Sequence, residues 1–385
     1  MTRKPDNTAL VSGQPGKDSE LALVMKLTYR IQPNGLCVPA DKQLALDDDP
    51  EPYEALEPPL VSPPSWDSDL FAFKPYTDVV VQGHAYTYSN RVNTVDAEIR
   101  MPGKSYKVRV HGDRSLEWHG DTPVFTTAQP FEHMSIGYDR AYGGYDATYT
   151  PETIDVAMEE LKKAEPQLNM ESFTDRHYPR NLAGSGFLIH LNRRATENLR
   201  IPNLEFPFDP VTPDRLAVGS TTAWMNAPLP ASFDWLHPSW FPRIAYLGLP
   251  PEYDLSSKAK EIELGWAIPD LMSQKPVILG GFHQNFQQGA PPGLVCPEFR
   301  PGSPLLCRNL FPDHPERKIQ LASNVPRVTI LVTEKEHLEA KPQLNSVIIQ
   351  PDLDQVVEVW SARAVSQRNY EAPELDNMSW KIRWK

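Results

Sequence analysis

The chain has 385 residues, 40 % of them hydrophobic and 23 % charged, which is enough to build a sizeable core. A formal net charge of −12 favours solubility and disfavours sequence-independent attraction to nucleic acid or anionic lipid, although it leaves room for a local basic patch. No run approaches the roughly 18 apolar residues of a membrane span, and the polar start Met1-Thr2-Arg3-Lys4-Pro5-Asp6-Asn7 has no signal-peptide stretch behind it. A cytoplasmic location without membrane insertion is therefore expected. Cys37, Cys296 and Cys307 are too few and too scattered for a disulfide framework or a zinc ribbon, so each is read as a small apolar filler.

Proline is the outlier, with 40 residues. Each one lacks a ladder donor and fixes φ, which favours short strands joined by ordered loops over long helices. Residues 1–18 are polar, contain Gly and Pro, and are expected to be disordered. Leu21 to Ile31 is the first strand. The acidic, Pro-rich segment from Leu44 to Asp69 reads as an extended covering segment or linker.

A hairpin comes next. Val95–Met101 and Tyr106–Val110 alternate apolar and charged residues around Pro102-Gly103, whose glycine tolerates the positive φ of a type II turn. That register sets Asp96 opposite Arg109 and Glu98 opposite Lys107 on the wet side. Val95, Ala97 and Ile99 then meet Val110, Val108 and Tyr106 on the core side. A helix is expected from Thr150 as N-cap and Pro151 at N1, with an apolar stripe of Ile154, Ala157, Met158 and Leu161. Later strands are Pro276–Leu279, Lys318–Ala322 and Arg327–Thr333. A closing hairpin pairs Ser346–Gln350 with Gln355–Trp360 around Pro351-Asp352-Leu353-Asp354.

The expected fold is mainly β: a large antiparallel sandwich or sheet scaffold with long Pro-rich loops and few short helices. It occupies residues 19–365, divisible into packed sub-domains 19–207 and 208–365, with 366–385 as a C-terminal tail.

The most particular stretch runs from Pro130 to Pro207. It carries Pro130 to Gly144, including Asp139, Arg140, Gly143 and Gly144. Tyr178 to Phe187 follows, with Arg180, Asn181, Gly184 and Gly186, and then Ile201 to Pro207, with Pro202 and Asn203. None is a nucleotide-binding or metal-binding signature. Gly184-Ser185-Gly186 lacks the Gly-x-Ser-x-Gly spacing of a nucleophile elbow. Arg140 either presents its guanidinium fork to a partner or anchors its own loop.

His111-Gly112-Asp113 and His119-Gly120-Asp121 resemble metal ligands, yet no further His/Cys cluster lies nearby, and polar strand ends are the plainer reading. Asp113 is expected to cap backbone donors or to pair with Arg114. A hydrolase using His111, Asp113 and His119 is the enzymatic alternative. The stretch from Trp224 to Pro251, with Trp235, Trp240, Phe241 and Tyr246, has the composition of a recognition surface or of a loop layer covering a sheet face. On the first reading, these five aromatics are the candidate partner contacts.

Taken in order, the three phrases resemble the DUF2169 family of Gram-negative bacteria. Lys74 to Ala85 is similar to that family's Lys-Pro…Thr-Asp-Val strand, and Val110 to Arg114 to its Val-x-Gly-Asp-Arg turn. Asn345 to Trp360 resembles its closing hairpin. Leu182 departs from the family's tendency to proline, and residues 208–300 follow its pattern loosely. The resemblance implies a non-enzymatic adaptor or chaperone of type VI secretion. Such a protein would bind a toxic effector and help load it onto a spike or PAAR-type tip protein. It brings no cofactor, no metal and no catalytic residues.

Overall fold

The computed structural model describes residues 5–13, 19–47, 66–89, 91–146, 177–189, 191, 193–196, 199–218, 226–247, 283–366 and 368–384. The expected helix from Thr150, the strand Pro276–Leu279 and Trp224 lie outside them. The rest is mainly β, as the composition implied.

Nine strands form the main sheet. β2 (Ser19–Ile31) carries β1 (Thr8–Ser12) and β3 (Cys37–Pro39) on one edge and β19 (Gln355–Ser366) on the other. β19 makes the closing hairpin with β18 (His337–Gln350). The far edge of β18 is shared by β17 (Pro326–Leu331) and by the parallel strand β4 (Thr77–Val81). Beyond β17 lies β20 (Ser379–Trp384), and beyond β4 the short β14 (Val295–Cys296). The sheet centre is buried on both faces: Val79, Val80 and Val81 of β4 are fully enclosed, as are Val356 and Val357 of β19. Doubly covered strands need near-continuous apolar runs, which is why these segments lack strict alternation.

The second sheet runs in the order β13 (Leu204–Glu205), β7 (Lys104–His111), β6 (Thr94–Met101), β15 (Pro304–Arg308) and β16 (Glu316–Gln320). Its inward residues Ala97, Ile99, Tyr106, Val108 and Leu305 join one hydrophobic core with Leu21, Val80 and Val357 of the main sheet. Shorter ribbons pair β5 (His84–Tyr86) with β10 (His133–Ser135) and β8 (Leu116–His119) with β9 (Thr122–Phe125). β11 (Tyr142–Gly143) runs parallel to β12 (Ser185–Gly186).

The β6–β7 hairpin has the expected register, with Asp96 opposite Arg109, Glu98 opposite Lys107, and Gly103 at φ 77° in the turn. One part of the expectation is corrected. Glu98 is buried and bonds Arg100 at 2.8 Å and Arg308 at 3.3 Å instead of Lys107, because β15 closes over that edge of β6.

Three organisational expectations also change. Thr8–Ser12 is an edge strand on β2, since Ala9 to Val11 find ladder partners in Ala22 to Val24 that offset the cost of ordering them. Division at residue 207 does not follow the two large sheets, each of which combines strands from both sides of it. The segment 366–385 is no loose tail over its described part, because β20 pairs along all of β17. Ahead of it, the helical turn Ala372–Asn377 is fixed by a capping box of Glu371 and Glu374.

A buried ionic network ties the layers together. Arg243 forms a bidentate pair with Asp67, both contacts at 3.0 Å, and also donates to the carbonyls of Leu236 and Phe286 at 2.7 Å. Lys74 bridges Asp78 at 2.7 Å and Asp67 at 3.7 Å, and Gly289 N–H donates to Asp78 at 2.9 Å. All four charged side chains are 5 % exposed or less, so their charges must compensate one another.

Among the described residues, Glu358, in the middle of β19, has no such cation. Burial pushes its carboxyl up to about 7, against a hydrogen bond donated by Trp360 Nε1 at 3.0 Å. The folded carboxyl keeps its proton where the unfolded one, at 4.5, has lost it. Stability from this group is therefore full below about pH 4.5 and is lost as pH rises through about 7. Wild type should lose on the order of 3 kcal/mol relative to Glu358→Gln between pH 5 and 8, measured by denaturant unfolding of both proteins across that range.

Candidate functional site

The three particular phrases meet in space as a hydrogen-bonded loop layer. Asn181, fully buried, donates through Nδ2 to Tyr138 O at 2.8 Å and Tyr142 O at 3.1 Å, while its own carbonyl accepts from Gly144 N at 2.8 Å. These bonds hold the first phrase against the second and allow β11 and β12 to pair. Side chains must be absent where they meet. A Cβ on Gly184 would lie 2.5 Å from Ala141 O, and one on Gly144 (φ +88°) would run into the Gly184 carbonyl.

Asn203 stitches in the third phrase. Its N–H donates to Arg140 O at 2.8 Å, and its Nδ2 donates to His111 O and Asp113 Oδ1, each at 3.1 Å. Arg140, half-buried, reaches Asn203 Oδ1 at 3.4 Å and lies 3.4 Å from Asp139 and 3.7 Å from Asp113, so it anchors its own loop. A second core under this layer contains Leu116, Tyr142, Tyr178, Phe187 and Ile201.

Arg114 does not pair with Asp113. Its partner is Glu205 at 3.0 Å, on β13, because Leu204 and Glu205 pair with Val110 and Arg109 and bring the carboxylate beside the Gly-Asp-Arg turn. Glu205 also takes His111 Nε2 at 3.0 Å. Burial would push its carboxyl up, but His111 and Arg114 outweigh it and hold Glu205 below the usual carboxylate range. The other ring nitrogen of His111 contacts Thr94 Oγ1 at 2.9 Å. His111 and Asp113 are both drawn toward Asn203 and Glu205, whereas His119 is exposed at the end of β8. Among the described residues, no group of three or more His, Cys, Asp or Glu is placed to hold a metal ion.

The expected aromatic contact surface is largely interior. Trp235, Trp240 and Tyr246 are 2 %, 0 % and 8 % exposed, which corrects their assignment as surface contacts. They pack beneath the loops because the Arg243–Asp67 pair pulls this segment onto the main sheet; Lys74 lies over Trp235 at 5.1 Å, and Tyr138 meets Trp240 edge-on at 5.5 Å. Phe241 is the exception. It lines a cleft of about 380 Å³ between the second sheet and the loop layer.

The cleft walls are Tyr106 of β7, Tyr138 and Arg180 of the loop layer, Phe206 and Phe208 after β13, and a Pro-rich rim of Pro230, Pro242, Pro291 and Pro292. Tyr106 is fixed by its hydroxyl donating to Ser232 O at 2.7 Å and by edge contacts with Phe206 and Phe233. Phe208 stands at the mouth, 77 % exposed and stacked on Phe206 with ring centroids 5.0 Å apart. Its turn is rigid: Asp209 accepts from Arg215 at 2.5 Å and from Leu229 N–H at 2.8 Å. Rigid aromatic and proline surface with one guanidinium in the wall suits an apolar segment of a partner, with little ordering cost on this side.

Phe208, Asp67, Arg243 and Glu358 carry no role in the sequence pattern, and Glu205 and Phe206 stand out only as part of the Ile201–Pro207 phrase. A Phe-x-Phe step in Phe206-Pro207-Phe208-Asp209-Pro210 was the available signal for the cleft. The buried charges leave no local signal, since their partners are 176 residues apart for Arg243 and Asp67.

Fold and cleft together define a mainly β scaffold with a preformed apolar groove. Residues 16–361 match the family described as "Uncharacterized protein conserved in bacteria (DUF2169)", and the chain belongs to that family. No curated protein and no solved structure is detectably similar to it. Among the described residues, no helix is long and apolar enough to cross a membrane.

Proposed function

We propose that this chain is a cytoplasmic, non-enzymatic adaptor or chaperone that binds a type VI secretion effector and helps load it onto the spike or PAAR-type tip protein. The observation that carries the reading is Phe208, an exposed phenylalanine on a pinned turn at the mouth of an apolar cleft. An isolated exposed aromatic needs no explanation, but one stacked over a groove of aromatics and prolines is the form of a binding anchor. The partner class is taken from what the resemblance of the three loop phrases to this family implies, an adaptor of type VI secretion.

Co-expression of the chain with any effector and spike proteins encoded beside it tests the reading. A stable complex is expected, and Phe208→Glu should weaken effector affinity by about 30-fold, the equivalent of losing one anchor worth roughly 2 kcal/mol. Failure to recover any complex would overturn the assignment.

A further inference from the structure

β20 is the terminal strand of the main sheet: it pairs with β17 on one edge and with no other strand among the described residues. Its two faces differ in chemistry. Ser379, Lys381 and Arg383 lie opposite Leu331, Thr329 and Arg327 on the exposed face, so Lys381, Arg383 and Arg327 form a row of cations. Lys341, next to the buried Ala340 that pairs with Val328, joins the same face. None of these four cations makes an ion pair among the described residues. Glu339, the acid on this face, is bonded by Thr329 Oγ1 at 2.8 Å. On the other face Trp380 and Ile382 lie opposite Ile330 and Val328, and Trp384 is 39 % exposed with its ring against Trp360.

In a chain of net charge −12, an open ladder edge with cations on one face and tryptophans on the other is complementary to one kind of partner. We propose that β20 is a docking edge that accepts an extended acidic strand from another protein, with carboxylates at alternate positions. Main-chain ladder bonds supply the hold, the alternate carboxylates face Lys381, Arg383 and Arg327, and the intervening apolar residues lie beside Ile382 and Trp384. Lysine on an edge also blunts non-specific strand pairing, and the charge row then selects which strand is admitted. This surface is separate from the Phe208 cleft, so the inference stands or falls independently of the effector reading.

The test is binding of a labelled, end-blocked peptide of four Glu-Val repeats to the full chain, read by fluorescence anisotropy and by hydrogen exchange of β20. Saturable binding is expected, with protection of Trp380 to Trp384. The double variant Lys381→Glu, Arg383→Glu should weaken it roughly tenfold or more, while Lys42→Glu, in the bend after β3, should not. A peptide of the same length with proline at alternate valines should not bind, because it cannot complete the ladder. Equal binding of the proline peptide, or affinity unchanged by the charge reversal, would overturn the proposal. So would protection of β20 that depends on protein concentration alone, because the edge would then be occupied by a second copy of this chain.

Discussion

Arg243→Met is expected to destabilise the fold by about 3–5 kcal/mol, the loss typical of removing one partner from a buried ion pair. The guanidinium is 1 % exposed and makes two contacts at 3.0 Å to Asp67 and two at 2.7 Å to backbone carbonyls. Methionine fills much of the volume but leaves Asp67 with only Lys74, at 3.7 Å, and strands the carbonyls of Leu236 and Phe286. Asp67→Asn in the same background should cost less than the sum of the two single changes, because the variant already lacks the charge that Asp67 balances. Chemical unfolding of the four proteins in the cycle measures this. A loss below about 1 kcal/mol for Arg243→Met would mean that the network is not what holds the Trp235–Tyr246 segment on the sheet.

Asn181→Ala is the second large effect, and its signature is local. The amide serves Tyr138 O and Tyr142 O from one Nδ2 group, and its Oδ1 accepts from Ala183 N–H at 3.2 Å. Alanine leaves those buried carbonyls short of a donor, at roughly 1–3 kcal/mol each, so a loss of about 3 kcal/mol is expected. Asn181→Asp should be worse, since it sets a carboxylate against two carbonyl oxygens. Hydrogen exchange should accelerate at Gly144, Ser185 and Phe187, the amides that close the layer, while Val356 and Val357 in the main sheet keep their protection. Uniform acceleration across both sheets would show that the loop layer is part of the global folding unit.

Period-two alternation and turn residues made the two central hairpins legible. Asp96, Glu98, Lys107 and Arg109 fell into the expected register because Pro102-Gly103 allows little else. The closing hairpin was readable for the same reason, with Asp354 in the left-handed conformation at its turn. Edge pairing was not legible: Thr8–Ser12 becomes a strand by folding back on the neighbouring β2, and Ser379–Trp384 by meeting β17, which lies far back in the chain. The special loop phrases could be recognised as unusual, but their mutual bonds depend on contacts 39 to 63 residues apart. Aromatic composition misled. Trp235, Trp240 and Tyr246 look like contact residues until the ion pair at Arg243 places them inside, while Phe208 drew no notice in a short Pro-flanked turn.

The cleft as a binding surface is tested most directly by hydrogen exchange on the purified chain with and without its co-expressed effector. The account predicts slowed exchange in the complex at Phe206, Phe208, Leu236, Phe241 and Gly293, with Phe208→Glu abolishing that protection. A complex that forms with full affinity while exchange around the cleft stays unchanged would contradict it.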